Sequence, residues 1–78
     1  MVFDKVRQII SEQFNISEDE ITLLTSFVDD LNADSLDVFQ VIMAIEEEFE
    51  MEISNDQAEN VSTIADVVNY IKEQKGLD

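Results

Sequence analysis

Ser35 lies in the run Leu31-Asn32-Ala33-Asp34-Ser35-Leu36-Asp37, in a chain with no Cys and no His. With no imidazole to take its proton, the hydroxyl is a weak nucleophile. It is better suited to being modified by another enzyme than to attacking a substrate. The residue stands where an irregular stretch gives way to a periodic helix, a position where a serine also serves as a cap. A helix start offers unpaired N–H groups and the positive end of the macrodipole, which favours a phosphate. Asp34 and Asp37 oppose an anion there. From spacing alone, cap and attachment point both remain open.

Other chemistries fit less well. Asp30, Asn32 and Asp34 match the first three ligand positions of a calcium loop of the EF-hand type. The pattern then fails, with Ser35 where the sharp turn needs Gly and Val41 where a bidentate Glu is required. Without Cys or His there is no disulfide and no thiolate or imidazole zinc site. The acids crowd one helix and the loop before it, whereas paired-carboxylate catalysis needs two acids in a cleft with different environments. No metal site and no catalytic residue are expected. A small acidic calcium-binding or interaction module is the reading from another class.

The 78 residues make one domain, 1–78, and carry 19 acids against 4 bases, a net charge of −15. Segments 15–34 and 35–52 each hold six acids and no base, whereas residues 1–14 balance to zero. This excludes nucleic acid, whose phosphates need Lys and Arg, and anionic membranes. It points to basic protein surfaces as partners, with encounter steered by charge. No long apolar run or signal segment is present, so no membrane insertion and a cytoplasmic monomer are expected.

Val2, Val6, Ile9, Ile10 and Phe14 recur at helical spacing and predict a first helix over residues 2–14. Residues 15–34 lose the period but keep apolar anchors expected to pin a functional loop to the core: Ile16, Ile21, Leu23, Leu24, Phe27, Val28 and Leu31. Ser17 with Glu20 is expected to cap a short turn. A second helix is predicted over 35–50 with Asp34 as N-cap, and a short helix or turn between Ser54 and Asn60. A last helix is predicted over 64–74, started by Thr63 with Asp66 and ended near Gly76. The fold class is all-α, a small bundle with one long connection.

The second helix carries two apolar stripes. At about 100° per residue, Val38, Val41, Ile42, Ile45 and Phe49 fall on one side and form the core face. Leu36, Phe39 and Met43 fall on another, among Glu46, Glu47 and Glu50, with Gln40 at its edge. Burial of the helix all round would bury those acids unpaired, which proteins avoid. An exposed apolar patch rimmed by carboxylates is the shape of a protein-docking site, and Met adapts to several partners.

Asp34-Ser35-Leu36, flanked by acids, resembles the attachment site of the acyl carrier proteins. Ser26-Phe27-Val28-Asp29-Asp30-Leu31, Met43-Ala44-Ile45-Glu46-Glu47-Glu48-Phe49, Glu52-Ile53 and Asp66-Val67-Val68-Asn69-Tyr70-Ile71 carry the resemblance along the chain. It implies a four-helix bundle with a long first loop and a short third helix. It implies that a phosphopantetheinyl transferase places 4′-phosphopantetheine from coenzyme A on Ser35. The terminal thiol would then hold acyl groups as thioesters for fatty-acid synthesis enzymes with basic docking patches. A specialised carrier for polyketide, lipid A or other acyl transfer is the alternative within the class.

The resemblance further implies a partner surface of Asp34, Leu36, Asp37, Phe39, Gln40, Met43, Glu46 and Glu47. It implies an interior acyl pocket of Phe27, Val28, Val41, Ile45, Ile53, Ala58, Val61 and Val67. Three positions depart from the family pattern: Asn32 for Gly, Gln40 for Glu and Ser54 for Pro. Asn is the next-best residue for a left-handed backbone. Gln40 removes one charge from the docking face, and Ser54 loosens the approach to the third helix.

Overall fold

Among the described residues three helices form where apolar residues recur every three to four positions, a fourth is too short to show that repeat, and a polar side chain caps each start after the first. In the computed structural model they are α1 (Val2–Phe14), α2 (Ser35–Phe49), α3 (Asn55–Glu59) and α4 (Ile64–Lys75). The structure describes residues 2–76; Met1, Leu77 and Asp78, an acid counted in the net charge, lie outside the described residues. Among the described residues no strand forms, and the fold is the small all-α bundle expected, with a long first loop and a short third helix.

Each boundary has a local cause. α1 stops at Asn15, whose φ of 55° is left-handed, a conformation Asn tolerates better than most residues. α2 ends one residue before the predicted boundary because Glu50 turns left-handed, with φ 50°. α4 runs to Lys75 and is closed by Gly76 at φ 67°, where glycine carries no Cβ penalty. The Thr63–Asp66 box is present at the start of α4. The Ser17–Glu20 box caps a 3-10 turn over Glu18–Glu20.

The core joins α1, α2 and α4. Val6 and Ile10 meet Val41 and Ile45, with Ile64, Val67, Val68 and Ile71 closing the other side. Each such side chain contributes about 1.5–3 kcal/mol by leaving water. α3 spans five residues and buries only Ala58.

The long loop is fastened to the core by a subset of the predicted anchors. Ile21 and Phe27 are buried, and Ile16 and Leu31 pack against the core. Leu23, Leu24 and Val28 do not: they are 44%, 84% and 66% exposed. The loop is held at these points by backbone rather than by side chains. Leu23 and Thr25 carbonyls accept from the Ala65 and Ile64 N–H groups at 2.9 and 3.0 Å, and the Phe27 N–H donates to the Ser62 carbonyl at 3.0 Å. Pairing with the start of α4 lets these apolar side chains face outward. Thr25 is buried instead, its Oγ1 accepting from the Thr22 N–H at 2.9 Å.

This clasp fixes the start of α2. The Ala33 N–H donates to the Phe27 carbonyl at 2.8 Å, and Ala33 is buried. Asn32 holds the left-handed turn at φ 53°. The buried Phe27 ring thus sets the position of Ser35 through a few residues of bonded backbone.

Candidate functional site

Ser35 is the first residue of α2 and is exposed. The cap before it is Asp34. Its Oδ1 accepts from the Asp37 N–H at 2.9 Å, and Asp37 Oδ2 accepts from the Asp34 N–H at 3.2 Å. Asp34 and Asp37 therefore supply the capping bonds between them, and the Ser35 hydroxyl is not spent as the cap. The sequence suggests Asp34 as cap but not the reciprocal box, because Asp replaces the usual Glu at the third position.

Beside Ser35 lies a cleft of about 640 Å³, within the range of small-molecule sites. Val28 and Ala33 from the loop, Val38 and Phe39 from α2, Ala58 from α3, and Val61 line it, with Asp34, Asn55 and Glu59 as polar members. A second cavity of about 210 Å³ lies between α2, α3 and α4, where Ile42, Ile53, Val61 and Val67 form its apolar surface. Val61 borders both.

The residues expected in one interior pocket therefore divide. Val28, Ala58 and Val61 face the cleft, while Ile53 and Val67 face the second cavity. Phe27, Val41 and Ile45 are fully buried core and line neither. Val28 is at the surface rather than inside. Ser26 Oγ accepts from the Asp29 N–H at 3.1 Å and Asp30 Oδ2 accepts from the Ser26 N–H at 2.7 Å. The tight turn so formed sends Phe27 inward and Val28 outward. Nothing in the sequence marks Ala33, Asn55 and Glu59 as lining residues. Ala33 precedes the helix and α3 is too short to show a period, so neither leaves a periodic signal.

Along α2, Leu36, Phe39 and Met43 are 63%, 49% and 56% exposed, while Val41, Ile42 and Ile45 are buried. The two stripes are therefore distinct faces. Glu47 and Glu50 are exposed beside the outer stripe. Gln40 Oε1 accepts from Gln13 Nε2, which ties α2 to α1. Glu46 is half-buried, and its Oε2 accepts from the Ile53 N–H at 2.8 Å, so it is not a free surface acid.

Asp30, Asn32 and Asp34 do not assemble a calcium loop: Asp30 closes the turn at Ser26 and Asp34 caps α2. Among the described residues no three His, Cys, Asp or Glu side chains gather as a metal-binding group. At the start of α4, Asp66 Oδ2 accepts from the Thr63 and Ser62 N–H groups at 3.0 and 2.9 Å. These donors, Thr63 foremost, hold its carboxyl below the ordinary value. No helix among the described residues is long and apolar enough to cross a membrane.

Residues 4–71 match the family described as a phosphopantetheine attachment site. The chain is 56% identical, over 92% of its length and 94% of the relative's, to an acyl carrier protein of Clostridium acetobutylicum. It is 53% identical, over 92% of its length and 95% of the relative's, to an acyl carrier protein of Clostridium perfringens. The chain belongs to the phosphopantetheine-attachment family and, within it, to the acyl carrier proteins.

Proposed function

We propose that this protein is the acyl carrier of fatty-acid synthesis and that the Ser35 hydroxyl is where 4′-phosphopantetheine is joined. One observation supports the reading above the others: an exposed serine, relieved of capping by the Asp34–Asp37 pair, stands at the edge of an apolar cleft. When bound, that group supplies a thiol that holds an acyl chain as a thioester.

The chain's own residues do the rest. Asp34 and Asp37 fix the backbone under Ser35 while leaving its hydroxyl free to be esterified. Their charge turns a phosphodiester outward, toward solvent and partner enzymes. Val28, Val38, Phe39, Ala58 and Val61 offer apolar cover within the cleft. Phe27, Val41, Ile45, Ile53 and Val67 supply the packed interior beneath it, which must yield if a longer chain goes deeper.

Partner enzymes bring the catalysis, and the transferase that loads Ser35 is the first of them. Leu36, Phe39 and Met43 dock in a partner's apolar hollow, while Asp37 and Glu47 meet its Lys and Arg; Asp34 and Gln40 flank this face and Glu46 lies at its edge. Charge-steered contacts form fast and release fast, as a shuttle needs. The protein acts as a monomer in the cytoplasm, where these enzymes are found.

The test uses loaded protein, an acyltransferase of fatty-acid synthesis and its acyl-coenzyme A substrate. The wild-type chain gains one acyl group, removable by hydroxylamine. Met43→Glu slows the gain at least tenfold while helix content by circular dichroism is unchanged. No acyl gain by the wild type would contradict the function, and full activity of Met43→Glu would contradict the docking face.

A further inference from the structure

Three N–H groups leaving α2 converge on Glu46. Its carbonyl accepts from the Glu50 N–H and from the Met51 N–H, the latter at 3.1 Å. Its carboxylate Oε2 accepts from the Ile53 N–H at 2.8 Å. The first two bonds are backbone only and survive any side chain at this position. The third reaches furthest, to the residue next to Ser54, which caps α3.

α3 depends on that bond more than a longer helix would. It has five residues, buries only Ala58 and, among the helices, neighbours α2 alone. Carboxylates hold the chain on either side of it, Glu46 at Ile53 and Asp66 at Ser62 and Thr63, where Ile53 and Val61 also pack against the core and the Phe27 N–H donates to the Ser62 carbonyl. Asn55, Ala58 and Glu59 are its contribution to the cleft beside Ser35, and Ile53 borders the second cavity. Where α3 sits therefore decides how wide the cleft is.

We propose that Glu46 is a positioning residue: through the Ile53 N–H its carboxylate sets the place of α3 over the cleft, and it serves the carrier by geometry rather than by charge. Glu47, one residue on and exposed, is the neighbouring acid that acts by charge. The part of this inference that concerns cargo rests on the carrier reading above; the part that concerns α3 does not.

Two variants separate geometry from charge. Glu46→Gln keeps an oxygen that can accept from Ile53 and removes the charge; Glu46→Ala removes both. In unloaded protein, amide exchange measured by NMR should quicken about tenfold at Ile53 and across α3 in Glu46→Ala, the loss of a charge-assisted bond. Glu46→Gln should stay within about threefold of wild type, since a neutral acceptor retains part of that bond. In octanoyl-loaded protein, hydroxylamine should cleave the thioester several-fold faster in Glu46→Ala than in wild type or Glu46→Gln. Acyl transfer by a partner should fall further in Glu47→Gln than in Glu46→Gln.

Unchanged exchange in Glu46→Ala would overturn the proposal, as would equal loss in Glu46→Gln. Altered exchange with equal thioester lability in all three proteins would overturn the link to the cleft. If the wild type could not be loaded at all, the carrier reading would fail while the exchange result still decided the positioning of α3.

Discussion

α4 and α3 are neighbours in the chain and opposites in construction. α4 packs on α1 and buries Ile64, Val67, Val68 and Ile71 in the shared core, and its start is tied to the long loop by backbone bonds. α3 buries one alanine, and two carboxylates help to hold the chain on either side of it. The difference teaches where this small chain places its stability and where it allows movement. Regions with few buried apolar contacts open at lower cost, and here that region is the wall of the cleft beside Ser35.

The comparison is tested most severely in the core. Ile45→Ala should lower unfolding free energy by about 2–5 kcal/mol, a large share of what a domain this small has. Denaturant unfolding measures it, and a cost below about 1 kcal/mol would deny that α1, α2 and α4 carry the fold.

Asp66→Asn should cost about 1 kcal/mol near neutral pH, the worth of an N-terminal cap. Its pH dependence follows from the lowered carboxyl. Above the unfolded value of 3.8 the ionised carboxyl stabilises the native state. As pH falls through the still lower folded value that advantage disappears. Wild type and Asp66→Asn should therefore differ at pH 7 and converge in acid; a gap that widens on acidification would contradict the assignment.

The smallest effect is expected in α3. Ala58→Gly should cost about 0.5–1 kcal/mol, with faster amide exchange confined to α3. Protection lost throughout the molecule would mean that α3 is integral to the core after all.

Much of this arrangement is legible in the sequence because it is periodic. The buried faces of α1, α2 and α4, and the outward turn of Leu36, Phe39 and Met43, follow from a 3.6-residue repeat. Capping pairs such as Thr63 with Asp66 mark the starts. The loop is less legible because hydropathy does not report backbone pairing. Leu24 and Val28 read as anchors, yet the bonds from Leu23, Thr25 and Phe27 to the α4 start do the fastening. Phe27 and Val28 are adjacent and alike in hydropathy, and only the turn closed by Ser26 and Asp30 separates them. The bond from Glu46 to Ile53 spans seven residues, a separation with no sequence signature, so Glu46 reads as one more surface acid.

The central claim concerns one oxygen atom, and mass spectrometry addresses it most directly. Purified protein is incubated with coenzyme A and a phosphopantetheinyl transferase, then weighed intact and after fragmentation. The wild-type chain should gain a single phosphopantetheine, placed by fragmentation on Ser35, and Ser35→Ala should gain none. A wild-type chain that stays unmodified, or a Ser35→Ala chain that takes up the group at another hydroxyl, would contradict the account.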